Sequence, residues 1–259
     1  MRTKLKIELL SPYKFLNNKF YDFAKPAKFP LTKIRFKNKN IKHFIQLNDE
    51  DWIRLFGEFQ SDYLPSGINL AMKYHGHQFG VYNPDIGDGR GFTIAQYIHN
   101  NKLYDLGTKG SGTTKYSRSG DGRLTLKGGI REVLCSCYLD AIGLKTSQSL
   151  SLIETGEKLY RNDEPSPTRS SVLVRVSHSH IRIGSFQYHA YHQDIDSLES
   201  LIKATGKYYF MFDENQNTPI NFFSKVVKNC AELAASYNIF GFVHGVLNSD
   251  NINITGESF

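Results

Sequence analysis

The sequence predicts an α+β protein in which an antiparallel sheet carrying one helix comes first and a helical region follows. Three observations predict it. Two β-rich runs separated by three turn residues read as a hairpin; an amphipathic stretch comes after them; and a second, longer apolar stripe at helical spacing lies late in the chain.

In chain order, the run FTIAQYI from Phe92 to Ile98 has strand character. KLYDLGT from Lys102 follows it across the turn-like HNN, and the glycine-rich turn IGDGRG precedes both. Ile130, Val133, Leu134, Cys137 and Tyr138 recur every three or four residues, which places them on one helix face. Gly143 stands where a C′ residue would end that helix. SLSLIE and KLYR flank a turn expected at Thr155 and Gly156, and SVLVRV from Ser171 is a β-branched run, so three more strands are expected. Phe222, Val226, Cys230, Leu233 and Tyr237 then form a helical stripe ending before Gly241. Glycine turn, hairpin, helix, strands and then helices is the order of a protein-kinase-like fold. Residues 1–259 are therefore expected to form a single kinase-like unit. Its N-lobe, an antiparallel sheet with an αC-type helix, would cover about residues 26–190, and about 191–259 would begin a helical C-lobe.

Composition narrows the function classes. With 40% hydrophobic and 22% charged residues, 259 residues suffice for a large core or two lobes around a cleft. No apolar run approaches the roughly 20 residues of a membrane-spanning helix. The N-terminal MRTKLKIELLSPYKF has only the brief apolar stretch IELL, without the h-region of a secretory signal, so a cytoplasmic location is expected. Cys135, Cys137 and Cys230 are too few and too oddly spaced for a disulfide framework and read as reduced packing residues. The formal charge of +7 is scattered rather than gathered in a stripe, so nucleic acid is not an expected partner. The pairs His75/His77 and His178/His180 lack further ligands at metal-binding spacing, and HGHQFG reads as a packed turn leading into the glycine loop.

Two constellations point to nucleotide chemistry. In a kinase N-lobe a glycine turn lets backbone amides approach phosphates, a strand lysine holds them, and a helix glutamate fixes the lysine. Gly87, Gly89 and Arg90 supply the turn, Lys109 the lysine at the end of the second hairpin strand, and Glu132 the glutamate. Each is ordinary alone; order and spacing carry the set. The second is HGVLNSDN, His244 to Asn251, which follows the late helix as a kinase catalytic loop does. Aligned on H-R-D-x-x-x-x-N, Asn251 falls on the metal-binding Asn, but Val246 fills the place of the catalytic Asp. Valine accepts no proton, so either there is no catalysis or another base acts, and Asp250 is the available carboxylate. Arg175 and Arg182 form a further pair, whose forked donors suit one phosphate and for which ordinary kinases have no need.

The runs YHGHQFGVYNPDIGDGR, LGTKGSGTTKYSRSGDGR, LKGGIREVL, VRVSHSHIRIGSF and FVHGVLNSDN resemble, in order, the signature blocks of the selenoprotein O (SelO) family of protein adenylyltransferases. The resemblance implies a pseudokinase-like fold that binds ATP in a flipped orientation and transfers AMP to Ser, Thr or Tyr hydroxyls of protein substrates. It implies that Lys109 and Glu132 form an ion pair and that Gly87, Gly89, Arg90, Asp121 and Gly122 contact the nucleotide. Arg175 and Arg182 would hold the buried γ-phosphate, Asp250 would be the proton acceptor, and Asn251 would ligate magnesium or manganese. By family spacing a second metal-binding Asp would come immediately after Phe259, and the resemblance covers about the first half of a family member. A weakened metal site and an uncovered apolar patch along Phe222–Tyr237 are therefore expected. The alternatives are a non-catalytic ATP-binding pseudokinase fragment and a phosphoryl-transferring kinase, against which Val246 counts.

Overall fold

The computed structural model describes residues 13, 16–41, 47–60 and 69–257. The N-terminal IELL stretch and Phe259, which bear on two of the expectations above, lie outside the described residues. The strands are β1 (Tyr21–Phe23), β2 (Lys33–Lys37), β3 (Leu70–Met72), β4 (Gly76–Gln78), β5 (Val81–Asn83), β6 (Thr93–His99), β7 (Lys102–Lys109), β8 (Leu124–Thr125), β9 (Gln148–Leu159) and β10 (Thr168–Ser177). The helices are α1 (Asp49–Phe56), α2 (Leu126–Ala141), α3 (Ile183–Tyr191), α4 (Ile195–Tyr209) and α5 (Pro219–Ile239). Mixed α/β architecture results, with an antiparallel sheet in the order β1-β3-β6-β7-β10-β9-β2, β8 pairing with β10, and a separate β4–β5 hairpin.

The β6–β7 hairpin forms as the sequence predicts, with Ile98 opposite Leu103 and His99 opposite Lys102. Asn100 and Asn101 both take positive φ, 48° and 59°, the backbone of a tight turn whose twist matches that of the strands. One sheet face carries Ile94, Leu106, Leu150, Ile153, Val172 and Val174 against Trp52, Leu55 and Phe56 of α1. On the other, Leu126 and Val133 of α2 pack with Leu124, Leu152 and Leu173. α2 starts where the Thr125 hydroxyl accepts from the Gly128 amide, and Gly143 follows its C-cap with φ 79°. A third cluster joins β3 to the later helices through Met72, Tyr74, Ile181, Leu201, Phe222 and Ile254.

Five expectations need correction. Thr155 and Gly156 make no turn: β9 runs unbroken from Gln148 to Leu159, because Gly156 absorbs an irregularity at φ 75° and the chain reverses later, between β9 and β10. The buried face of α2 is Leu126, Gly129, Val133, Ser136 and Leu139, while Ile130, Leu134 and Tyr138 are exposed. Gly129 decides this rotation, since its missing Cβ lets the helix approach Leu152 and Ser171. HGHQFG is the β4–β5 hairpin, with positive φ at Phe79 and Gly80, rather than a packed turn. On α5, Phe222, Leu233 and Tyr237 are buried; its exposed large apolar residues are Ile220, Phe223, Val227 and Ile239, off the expected stripe. Cys135 is exposed rather than packed, and all three cysteines are free thiols. Among the described residues no helix is long and apolar enough to cross a membrane.

Candidate functional site

β7 ends at Lys109, α2 presents Glu132 one turn after it docks on the sheet, and β10 presents Arg175 beside both. Glu132 is the centre of this group: one carboxylate oxygen takes the Lys109 ammonium and the other the Arg175 guanidinium. Pairing both oxygens fixes the carboxylate plane and holds two cations side by side. Arg182, the N-cap residue of α3, donates to Asp88 at 2.9 Å and to the backbone carbonyl of Asp250 at 2.5 Å, with its guanidinium over the Tyr74 ring at 4.5 Å. Thus Arg182 bridges the glycine turn to the loop before the chain's last described residues. Asp88 is itself anchored by the Met72 amide.

The glycine turn lies against the segment after β7. A Cβ on Gly87 would fall 2.5 Å from the Tyr116 ring and one on Gly89 2.8 Å from the Tyr116 carbonyl, so only glycine permits this approach. Ser117 Oγ and Thr114 Oγ1 donate to the Gly89 and Asp88 carbonyls, leaving the turn stitched in place. Gly122, at φ 70°, accepts at its carbonyl from the Gly112 amide, and Asp121 pairs with Arg161 at 2.8 Å.

Electrostatics separate this site from an ordinary ion-pair network. Lys109 is pushed well below the usual lysine range, first by burial and then by Arg175, Arg90 and Arg182. Arg175 is lowered to about 9, by burial and then by Arg182 and Arg90. Burial lowers Arg90 as well. Four cations therefore share one field with Glu132, Asp88 and Asp250, so positive charge is in excess. Burial raises Asp88, with Arg182 opposing. Burial alone would also raise Asp121, but the Arg123 amide and Arg161 bring it below the usual carboxylate range. A site that concentrates buried positive charge around a glycine turn is built for a polyanion.

The loop 244–251 lies where Arg182 reaches it. Asp250 is buried; its Oδ2 accepts from Gln78 at 3.0 Å, and its Oδ1 is a buried oxygen with no hydrogen-bond partner. Asn251 donates its amide nitrogen to the Val246 carbonyl at 2.9 Å, which leaves its amide oxygen as the acceptor end of the side chain. Among the described residues no three His, Cys, Asp or Glu side chains cluster as metal ligands. Two oxygen donors beside a polyanion pocket nonetheless suit magnesium, which keeps waters and substrate phosphate oxygens in its shell.

The structure thus brings Arg90, Lys109, Glu132, Arg175 and Arg182 into mutual reach, with Asp250 joined through Arg182 and Asp121 set beside Arg161. Sequence reasoning missed Tyr74, Gln78 and Arg161 as members of the site, and it placed Asp88 in the glycine turn without a partner. Asp88 and Gln78 lay inside quoted motifs, but only the fold shows that they face Arg182 and Asp250; nothing in the sequence marks Arg161.

Residues 4–259 match the family model described as Protein adenylyltransferase SelO. Among curated proteins, the chain is 46% identical to a Protein nucleotidyltransferase YdiU of Synechocystis over 94% of this chain and 52% of that protein. It is 48% identical to the one from Trichodesmium erythraeum, over 94% of the chain and 54% of the relative. With that of Vibrio cholerae the identity is 39%, over 82% and 42%. The chain spans about half the length of the curated relatives it matches. A match over nearly all of the chain places it in the SelO family of protein adenylyltransferases.

Proposed function

We propose that this chain carries the nucleotide site of a protein adenylyltransferase, which moves AMP from ATP to Ser, Thr or Tyr hydroxyls of protein substrates in the cytoplasm. One observation supports it above the others: buried Arg175 and half-buried Lys109 and Arg182 lie together, with exposed Arg90 at their edge, and carry more positive charge than their carboxylates offset. A bound triphosphate supplies the missing negative charge. In this reading the sheet and α2, over about residues 26–190, are a kinase-like N-lobe, and about 191–259 begin the C-lobe.

The residues then have distinct tasks. Lys109, fixed by Glu132, and Arg90 hold the phosphate chain over Gly87 and Gly89; Asp121 and Gly122 border the nucleotide. Arg175 and Arg182 grip the terminal phosphate at the buried end, which turns the α-phosphate toward Asp250. An acceptor hydroxyl oxygen bonds to the α-phosphorus while the bond from that phosphorus to the bridging oxygen of the β-phosphate breaks. Pyrophosphate leaves with the electron pair, and Asp250 Oδ1, the oxygen without a protein donor, takes the hydroxyl proton. Asn251 would hold magnesium or manganese, which when bound neutralises charge on the phosphate oxygens.

Nucleotide titration calorimetry tests the binding half of this reading. Affinity is expected to fall from ATP to ADP to AMP. Arg175→Ala is expected to bring ATP down to the affinity of ADP, roughly a tenfold loss for one buried charge-assisted contact. Equal affinity for all three nucleotides would contradict the polyphosphate reading.

A further inference from the structure

Gln78 stands outside every motif role so far assigned, yet its side chain donates to the Asp250 carboxylate. The contact is part of a wider clamp. Three consecutive residues of the β4–β5 hairpin reach three consecutive residues of the loop: the His77 amide donates to Ser249 Oγ at 2.8 Å, Gln78 Nε2 to Asp250 Oδ2 at 3.0 Å, and the Phe79 amide to Asn248 Oδ1 at 3.2 Å. Across the hairpin, Asn83 donates to Gln78 Oε1 at 2.9 Å. That bond occupies the amide oxygen, so the nitrogen is the end that faces the carboxylate. Gly76 closes the other side: a Cβ there would lie 3.0 Å from both Cβ and Oδ1 of Asp250.

We propose that Gln78, itself oriented by Asn83, is the positioning residue for Asp250; the proposal rests on the adenylyl-transfer reading above. By occupying Oδ2, a neutral donor sets the carboxylate rotamer without adding charge and leaves Oδ1 as the oxygen with no hydrogen bond from the protein. Arg182 holds the backbone carbonyl of the same residue, so main chain and side chain are fixed by two separate elements, the β4–β5 hairpin and the start of α3. The role is orientation, not contact with substrate, and it belongs to the chemical step rather than to ATP binding.

The test compares wild type with Gln78→Met, which keeps the length of the side chain and removes the donor, using ATP labelled on the α-phosphate and a generic protein acceptor. The expected result is a kcat lower by about tenfold with KM for ATP unchanged, since the variant loses the hydrogen bond that orients the base and no contact to ATP. Asn83→Ala is expected to give a smaller fall of the same kind. A second measurement needs no turnover: the side-chain NH2 resonances of Gln78 in the resting protein are expected to shift on Asp250→Asn. Unchanged kcat in Gln78→Met, a fall in kcat matched by a rise in KM, or resonances indifferent to Asp250→Asn would each overturn the proposal. Absence of label transfer by the wild type itself would instead defeat the adenylyl-transfer reading, and the resonance shift would still decide whether Gln78 holds the carboxylate.

Discussion

Glu132 carries more of this site than any other side chain, because it is the shared partner of two buried cations. Glu132→Gln keeps its shape and removes its charge, leaving Lys109 and Arg175 facing each other. A loss of about 2 kcal/mol is expected, since stranding a partly buried charge costs more than its pair contributed. Thermal unfolding should show it as a fall of about 4–8 °C in Tm, partly recovered by ATP; an unchanged Tm would mean that the cations find other partners. The pair was legible in the sequence because a lysine ending a strand and a glutamate on the next helix are informative in that order. Gln78 was not legible: its meaning depends on a contact 172 residues away, which no local pattern encodes.

At the scale of elements, the sequence announces which segments are helices and strands better than it shows how they are turned. Apolar spacing identified α2 and its end at Gly143, but Ile130, Leu134 and Tyr138 face solvent because Gly129 and Ser136 form the contact with the sheet. Leu134→Lys is therefore expected to change stability by less than about 0.5 kcal/mol. Val133→Ala, one residue away on the buried side, is expected to cost about 2 kcal/mol in urea unfolding. Equal effects would place the helix in the rotation that the stripe suggested. Gly156 misled for a related reason, since a glycine at positive φ serves a turn or an irregularity within a strand equally well. Gly156→Ala is expected to destabilise by about 1–2 kcal/mol from the backbone conformation alone, and its Cβ would also meet Leu31 at 2.7 Å.

Over the whole molecule, Asp105 ties the sheet to the later helices. This fully buried carboxyl accepts from Tyr13, Gln96, Tyr209 and the His180 amide, which join an N-terminal residue, β6, α4 and the segment before α3. Burial raises it to about 6 despite those donors. Because the folded value lies above the unfolded one, the protonated form contributes stability that is complete below about pH 4. That contribution is lost as pH rises to about 6, amounting to roughly 3 kcal/mol. Glu154, held down to about 2 chiefly by Arg169, acts with the opposite sign at lower pH, so the difference between wild type and Asp105→Asn isolates the effect. Wild type is expected to lose stability relative to the variant between about pH 4 and 6 and to run parallel above; parallel curves throughout would contradict it.

The central claim is that the buried cations turn the α-phosphate, not the γ-phosphate, toward Asp250. Label transfer to protein, with ATP labelled at either phosphate and magnesium or manganese present, tests it most directly when wild type is set beside Asp250→Ala. The account predicts incorporation from the α-label alone, lost in the variant. Incorporation from the γ-label would show phosphoryl transfer and contradict it.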